Sequence, residues 1–531
     1  MRVAVVSVMG VLLLTALGMS AAEPNAPKTC AVAIRVVNEA TGDATAAVIQ
    51  VLGADGESVE LEGLLPRGRG VPQKLSIHDW FVLPEPASIE LPREPLTIRA
   101  FSGLGAEIAE QQIDLTDRES ADVELTPHQF HEAHRAGLWN ANTHVHLQKV
   151  TRGESDDYLV DVGMADGLDL VFVSYLERAE DDVHYTSNEY TREELHSLNN
   201  QHVHFDHGEE HRHNFGAGGE GYGHVMLLAI PELVYPVSIG PGISKTGTDG
   251  LPLRRGIDRA HELGATVIWC HNDWGLEDIP NWLAGRLHAN NIFDGGSHGS
   301  YEHSFYRYLD CGIKVPFSTG TDWFIYDFSR VYVPHDGRPT PEEWLEQLAA
   351  GRSFITNGPL LDFSVNGQGI GEDVSLEEPG RVTVTGRAVG RVDFKRLEVV
   401  LGGDVVHTES SRSVGRHFEA QFTTEVPINQ PTWIALRTPP PSLPDDPDYA
   451  DSTPLNEYGR ELFSHTGASF VDVGGQRKFD RNAGVSLLNE MRDSRALIEE
   501  KGLFADEAEK QQVLEVYAEG ISELSARLES Q

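Results

Sequence analysis

Between Leu138 and about Asn357, short apolar runs alternate with helical stretches. This alternation constrains the fold of the chain more than any other feature. Leu168-Asp169-Leu170-Val171-Phe172-Val173 and Thr266-Val267-Ile268-Trp269 read as buried strands. Leu253–Leu263 reads as a helix stopped by Gly264. Thr340-Pro341-Glu342-Glu343 supplies an N-cap, a proline at the first helical position and acids in the first turn, and Gly351 closes that helix. Strand–helix alternation over about 220 residues predicts an α/β barrel or layered sheet. The same stretch, widened to His128–His335, holds 19 of the 23 histidines. Imidazole is the commonest metal ligand and the usual acid–base group near neutral pH, so any chemistry is expected here.

The flanks read differently. Residues 30–126 carry short β-branched runs such as Val32-Ala33-Ile34-Arg35-Val36-Val37, separated by turns at Gly42-Asp43 and Ala54-Asp55-Gly56, and predict a small β-sandwich. Residues 360–437 return to strand alternation and predict a second β domain. A Pro/Asp-rich connection and extended segment follows over 438–480. Its Asp445, Asp446, Asp448 and Asp451 lack the spacing of a calcium loop and read as solvated. Residues 481–531 form a helical tail: Leu514, Tyr517, Ile521, Leu524 and Leu528 repeat at helical spacing and predict a face docked on the body.

At the other end, Arg2, the apolar run Val3–Leu17 and the small residues Ser20-Ala21-Ala22 predict a secretory signal over residues 1–22. The chain is therefore expected to be exported, to the periplasm or outside the cell. No later window approaches the ~20 apolar residues that span a bilayer. Cys30, Cys270 and Cys311 are too few for a disulfide framework, and without a Cys-x-x-Cys spacing a thiolate zinc site is not expected. The 531 residues carry 42 Lys and Arg against 82 Asp and Glu, a formal charge of −40. That balance excludes broad nucleic-acid binding, which needs a basic surface. It also disfavours highly anionic substrates unless local Arg and Lys offset the field.

Within the histidine-rich stretch, His144-Val145-His146 puts two imidazoles on one face of a strand. Gly208-Glu209-Glu210-His211-Arg212-His213 and Gly221-Tyr222-Gly223-His224 follow. His271 ends the strand at Val267–Cys270, and Asp322 lies in Ser318-Thr319-Gly320-Thr321-Asp322. Ligand-type residues at the C-terminal ends of strands are how an α/β barrel builds an active face.

This order of motifs resembles the PHP (polymerase and histidinol phosphatase) superfamily, in particular its CehA/McbA-type metallohydrolase branch. Arg352-Ser353-Phe354-Ile355-Thr356-Asn357-Gly358-Pro359 resembles the segment that closes that domain. The resemblance implies a multidomain protein: a distorted α/β barrel over 138–357, flanked by all-β sandwich-like domains, with the helical C-terminal tail. It further implies that His144, His146, Glu210 and Asp322 hold one ion. Glu210, His224 and His271 would hold a second, with Glu210 bridging. Three family features are absent: Ser174-Tyr175-Leu176 replaces a Thr-Asp-His stretch, Phe324 stands where a histidine follows Asp322, and Asn142 stands where an Asp often precedes the His-x-His. One or two divalent ions (zinc, manganese or iron) are expected rather than three.

Such ions lower the pKa of bound water and polarise carbonyl or phosphoryl oxygens, so the expectation is a hydrolase acting on a small-molecule phosphoester or on an ester or amide such as a carbamate. The alternative is a non-catalytic binding protein that uses its β domains for glycan or protein contact. Beyond the ligands, Asp273 after His271 either orients water or substrate or caps the following helix. Arg330, with Arg212, Lys245 and Arg254, is a candidate contact for an anionic substrate. His211 and His213 flank Glu210 as outer-sphere candidates. The Gly-rich loop Asp294–Ser300, which contains His298 and precedes His303, is a candidate lid.

Overall fold

The structure, a computed structural model, describes residues 29–71, 75–178, 184–216, 218–272, 275–296, 298–441 and 454–530. The expected signal (1–22), the four aspartates from Asp445 to Asp451 and Asp273 lie outside the described residues. The protein is rich in strands arranged in several sheets, with a curled central sheet and a pair of helices at the C-terminus.

The N-terminal strands form two sheets. Thr29–Val36 pairs antiparallel with Ala87–Pro92 and parallel with Ser120–Leu125. A five-stranded sheet is built from Leu65–Pro66, Phe81–Leu83, Ala47–Leu52, Pro95–Phe101 and Ala109–Asp114. Alternation along Thr29–Val36 buries Cys30, Val32, Ile34 and Val36 on one face. Those side chains share one core with Ile49, Val51 and Ile98 of the other sheet.

The central sheet winds around Leu138–His146. This strand lies parallel to Leu170–Tyr175 and antiparallel to Arg330–Pro334. Beyond Leu170–Tyr175 come His204–His213, Gly223–Leu228, Thr266–Cys270, Ala289–Asn291 and Phe317–Ser318 in turn. Gly223–Leu228 runs antiparallel to both neighbours, a departure from an all-parallel barrel. The curl brings the chain after Phe317–Ser318 back to the start: Asp322 pairs with Val145 and Trp323 with His146. Helices cover the outside. Arg152–Asp166 begins with a Thr151/Glu154 capping box and ends at left-handed Gly167, while Pro341–Ala349 has its capping box at Thr340/Glu343.

Hydrogen-bonded strands cross the boundary read near residue 357. Phe354–Thr356 pairs with Arg330–Pro334 on one side and Ser464–Thr466 on the other. Ser464–Thr466 meets Thr432–Arg437, which pairs with Arg396–Leu401. Part of the second β region thus continues the central sheet, and only Leu360–Val365, Gly380–Gly390, Arg412–Val414 and His417–Ile428 form a separate four-stranded sheet. The tail folds into helices Arg481–Lys501 and Glu507–Ser530. Leu514, Tyr517, Leu524 and Leu528 are buried in one core with Leu487, Met491, Ile279 and Trp282. No helix among the described residues is long and apolar enough to cross a membrane.

Candidate metal centre

Alternation along Leu138–His146 turns His144 and His146 to the same side, with their Nε2 atoms 2.8 Å apart. The other nitrogen of each ring is held from behind. Nδ1 of His146 stands 2.8 Å from the Ser174 carbonyl, and Nδ1 of His144 stands 2.7 Å from Oδ2 of Asp294. Both partners are acceptors, so each neutral ring carries its proton on Nδ1 and presents a lone pair from Nε2. Two carboxylates converge on the same point. Oε2 of Glu210 lies 3.1 Å from Nε2 of His146 and 3.9 Å from that of His144. Oδ1 of Asp322 lies 3.5 Å from Nε2 of His144 and 3.7 Å from that of His146. Four electron-rich groups facing one another repel unless a proton or a cation stands between them.

The second oxygen of Glu210 serves a second group. Oε1 lies 3.2 Å from Nδ1 of His224 and 3.7 Å from Nε2 of His271. Sheet register brings these residues together: His224 stands opposite Arg212 on one neighbouring strand and opposite Cys270 on the other. Two groups, His144/His146/Glu210/Asp322 and Glu210/His224/His271, could each hold a metal ion, and His144, Cys270 and His271 form a third set of ligand atoms. All six sequence-derived ligand candidates are buried; the most exposed, Asp322, keeps 9% of its surface. Burying so many ionisable groups is costly unless they are paired or hold a cation.

The electrostatics follow from this crowding. Burial opposes ionisation of Glu210, yet the Arg212 guanidinium, with Nη1 3.3 Å from Oε1, and the adjacent imidazoles of His146, His224 and His271 hold its carboxyl well below the usual range. Burial likewise opposes protonation of His144 and His271, but nearby carboxylates, Asp294 chief among them, raise both. Asp322 is pushed up, mainly by burial.

The backbone around the site is unusual. Asp322, Phe324, Asn272 and Phe293 all have φ between 51° and 59°, a region that costs a non-glycine residue about 1 kcal/mol or more and tends to mark functional sites. Hydrogen bonds fix the Asp322 turn. Thr321 N donates to the His144 carbonyl and Phe324 N to that of His146, and Asn142 donates to Thr321 Oγ1. Asn142, standing where the resemblance leads one to expect an acid, braces the turn. Gly320 is dictated by space, since a Cβ there would lie 2.7 Å from Cβ of His144.

Two residues at the site escaped the sequence reading. Asp294, placed there in a flexible lid, is fully buried and also stands 3.3 Å from Nδ1 of His271. Its only signal was a position just past a strand, Ala289–Asn291, too short to show a period. Glu220 lies 2.9 Å from Nε2 of His224, which holds its carboxyl down to about 2. At the second strand, the Ser174 carbonyl braces His146.

Other candidates fall elsewhere. Arg330 is a correction: its side chain is buried away from the cluster, with Nε on the Phe328 carbonyl and Nη1 on those of Asp166 and Gly167, at the end of the first outer helix. Its strand pairs beside the His144 strand, but its charge neutralises a helix C-terminus. Arg254 pairs with Glu519 at 2.6 Å, and Lys245 is exposed. Strand alternation turns His211 and His213 to the opposite side from Glu210, where they bond Glu209 at 2.8 Å and Asp249 at 3.1 Å. His298 and His303 are exposed. A cavity of about 660 Å³ opens at the far end of the His144 strand, around Leu138, Tyr332 and Arg387, and includes none of the six ligand candidates.

No family model matches the chain, and no curated protein matches it. Among solved structures, a beta-glucuronidase from Parabacteroides merdae aligns over 81% of this chain and 60% of its own, at 9% identity and a TM-score of 0.15. That likeness is too weak to carry an argument.

Proposed function

We propose that the chain is an exported metal-dependent hydrolase of the PHP-like, CehA/McbA type, acting on a small-molecule phosphoester or on an ester or amide such as a carbamate. The observation that carries this reading is the convergence of His144, His146, Glu210 and Asp322, with each His Nδ1 held by an acceptor behind it. Such bracing is what metal-ligating histidines require, because it fixes tautomer and ring orientation. The position of His146 at the end of its strand and of His271 just past its own also suits a barrel-type active face.

In this reading His144, His146, Glu210 and Asp322 hold one divalent ion, and Glu210, His224 and His271 hold a second. A bound divalent ion supplies Lewis acidity and brings the pKa of a coordinated water toward neutrality. The chain's own residues do the rest. Glu210 joins the two groups through its two oxygens, Arg212 fixes the Glu210 carboxylate, and Asp294 and the Ser174 carbonyl hold the imidazoles in register. Four imidazoles with two carboxylates suit zinc, manganese or iron. Export to the periplasm or beyond rests on the N-terminal charge and apolar run.

Metal analysis tests the proposal. The purified full chain, stripped and resupplied separately with zinc, manganese or iron(II), is expected to retain one to two ions. His146→Ala and Asp322→Ala are each expected to lose at least one, together with any hydrolysis of a panel of phosphoesters, esters and carbamates. Less than one ion per wild-type chain, or unchanged metal content in both variants, overturns it.

A further inference from the structure

In a chain with 82 acidic residues against 42 Lys and Arg, an arginine left without an acid near a candidate active site is informative. Arg460 is such a residue. It is half-buried, and among the described residues its guanidinium makes no hydrogen bond and no ion pair. Glu461, next in sequence, stands beyond ion-pair distance although Arg460 and His298 act on it.

Two adjacent glycines locate the guanidinium. A Cβ on Gly295 would meet Oδ2 of Asp322 at 2.8 Å, and one on Gly296 would meet Nη2 of Arg460 at 2.6 Å. Neighbouring Cα atoms are about 3.8 Å apart, so the guanidinium stands within roughly 11 Å of the Asp322 carboxylate. That is the reach of a small organic substrate. Gly296 itself has a φ of 69°, and its missing side chain leaves the space that Arg460 fills.

The arginine is held in place by rigid surroundings. Asn456 accepts from the Arg460 backbone N–H and donates to Asp327, which also accepts from Asn357. The guanidinium lies 5.0 Å from the centre of the Tyr326 ring. Tyr326 is 93% buried, yet its hydroxyl has no hydrogen-bond partner among the described residues. Asp294, Asp322 and Arg460 all act electrostatically on that hydroxyl. Among the described residues, a guanidinium with no hydrogen-bond partner packs on the ring whose buried hydroxyl also has none, within roughly 11 Å of the Asp322 carboxylate, and both groups can donate. Such an arrangement suits an oxyanion.

We propose that Arg460 and Tyr326 form an anion-recognising subsite of the candidate metal centre, and that the substrate bears a phosphate or carboxylate group. The proposal rests on the hydrolase reading above but narrows it to anionic substrates. It also assigns part of the recognition to Arg460, which lies outside the stretch that carries the candidate metal ligands. The local positive charge offsets the −40 field that otherwise repels such molecules.

The test uses the full chain loaded with zinc and two probes, inorganic phosphate and succinate, titrated by calorimetry. Wild type is expected to bind at least one of them, and which one distinguishes phosphate from carboxylate recognition. Arg460→Gln is expected to weaken that binding roughly ten- to hundredfold, the range for a hydrogen bond to a charged group. Arg460→Lys should recover part of the loss, and Tyr326→Phe should weaken binding several-fold, with zinc per chain unchanged in all three. If zinc binds but neither anion does, or if Arg460→Gln and Tyr326→Phe bind the anion like wild type, the subsite is refuted while the metal centre stands. If zinc itself fails to bind, the hydrolase reading falls and the subsite falls with it.

Discussion

Oδ2 of Asp294 stands 2.7 Å from Nδ1 of His144, and the same oxygen lies 3.3 Å from Nδ1 of His271. One carboxylate therefore orients a ring in each of the two ligand groups, and Asn291 donates to it at 3.0 Å to fix its own position. Removing a carboxylate that braces a ligating histidine typically costs 10- to 100-fold in metal affinity. Asp294→Asn is expected to weaken zinc binding by about that factor while leaving the far-ultraviolet dichroism unchanged. Competitive titration against a chromophoric chelator measures it. Wild-type affinity in the variant would show that the rings are held by packing alone.

Much of this candidate centre was legible because its candidate ligands sit where chain patterns change. His144 and His146 declare a shared face by spacing alone, and His271 and Asp322 follow apolar runs that read as strands. Glu210 was harder. Its strand, His204–His213, contains no apolar residue except Phe205, so periodicity is silent there, and only the motif order singled out Glu210 from Glu209. The alternation that puts Glu209, His211 and His213 on the other side follows from the strand once it is known. Asp294 and Glu220 lay in glycine-rich loops, where sequence carries no direction for a side chain. Arg330 misled because a buried arginine on backbone carbonyls has the same sequence appearance as one on a substrate. The helical tail was readable from its stripe, whereas the join between the central sheet and Thr432–Arg437 runs through the pairing of Ile355 with His465, 110 residues apart in the chain.

The second prediction concerns pH. Glu277 is fully buried and accepts from the backbone N–H groups of Leu253 and Arg254 at the start of helix Leu253–Glu262. Burial outweighs those bonds and pushes its carboxyl from 4.5 up to about 7. Between those values the folded chain keeps a proton that the unfolded chain has released. Glu277 therefore favours the folded state below pH 4.5 and loses that contribution as pH rises to 7, a change of roughly 3 kcal/mol. Asp278, pushed up to about 6 chiefly by burial, adds to the same slope. Glu277→Gln is expected to be more destabilising at pH 5 than at pH 7.5, in urea unfolding with chelator present. An equal cost at both pH values would place the titration elsewhere.

The C-terminal helices are docked by apolar contact rather than by charge. Leu524 is fully buried against the body, whereas Glu519, half-exposed, pairs with Arg254 across the junction. Leu524→Ala is expected to cost about 2–5 kcal/mol, the range for a buried leucine that leaves a cavity. Glu519→Ala should cost no more than about 1 kcal/mol, as for exposed ion pairs. Thermal or urea unfolding of the two variants separates the contributions, and a larger effect at Glu519 would reverse this account of the junction.

The last prediction separates the two roles considered for Arg330. A side chain that binds substrate leaves folding largely intact when removed, and its loss appears in activity. Arg330 instead donates from Nε to the Phe328 carbonyl and from Nη1 to those of Asp166 and Gly167, with no surface exposed. The Asp166 and Gly167 carbonyls close helix Arg152–Asp166, so the guanidinium satisfies the buried Asp166 acceptor and compensates the negative end of the helix. Arg330→Met keeps most of the volume but strands the carbonyls, each worth about 1–3 kcal/mol when buried and unpaired. The variant is expected to unfold at lower urea concentration by roughly 2–5 kcal/mol, yet to bind zinc with wild-type stoichiometry at low temperature. Arg330→Lys should recover little, because one ammonium cannot reproduce the fork that reaches three carbonyls. Unchanged stability with lost hydrolysis would return Arg330 to the active site.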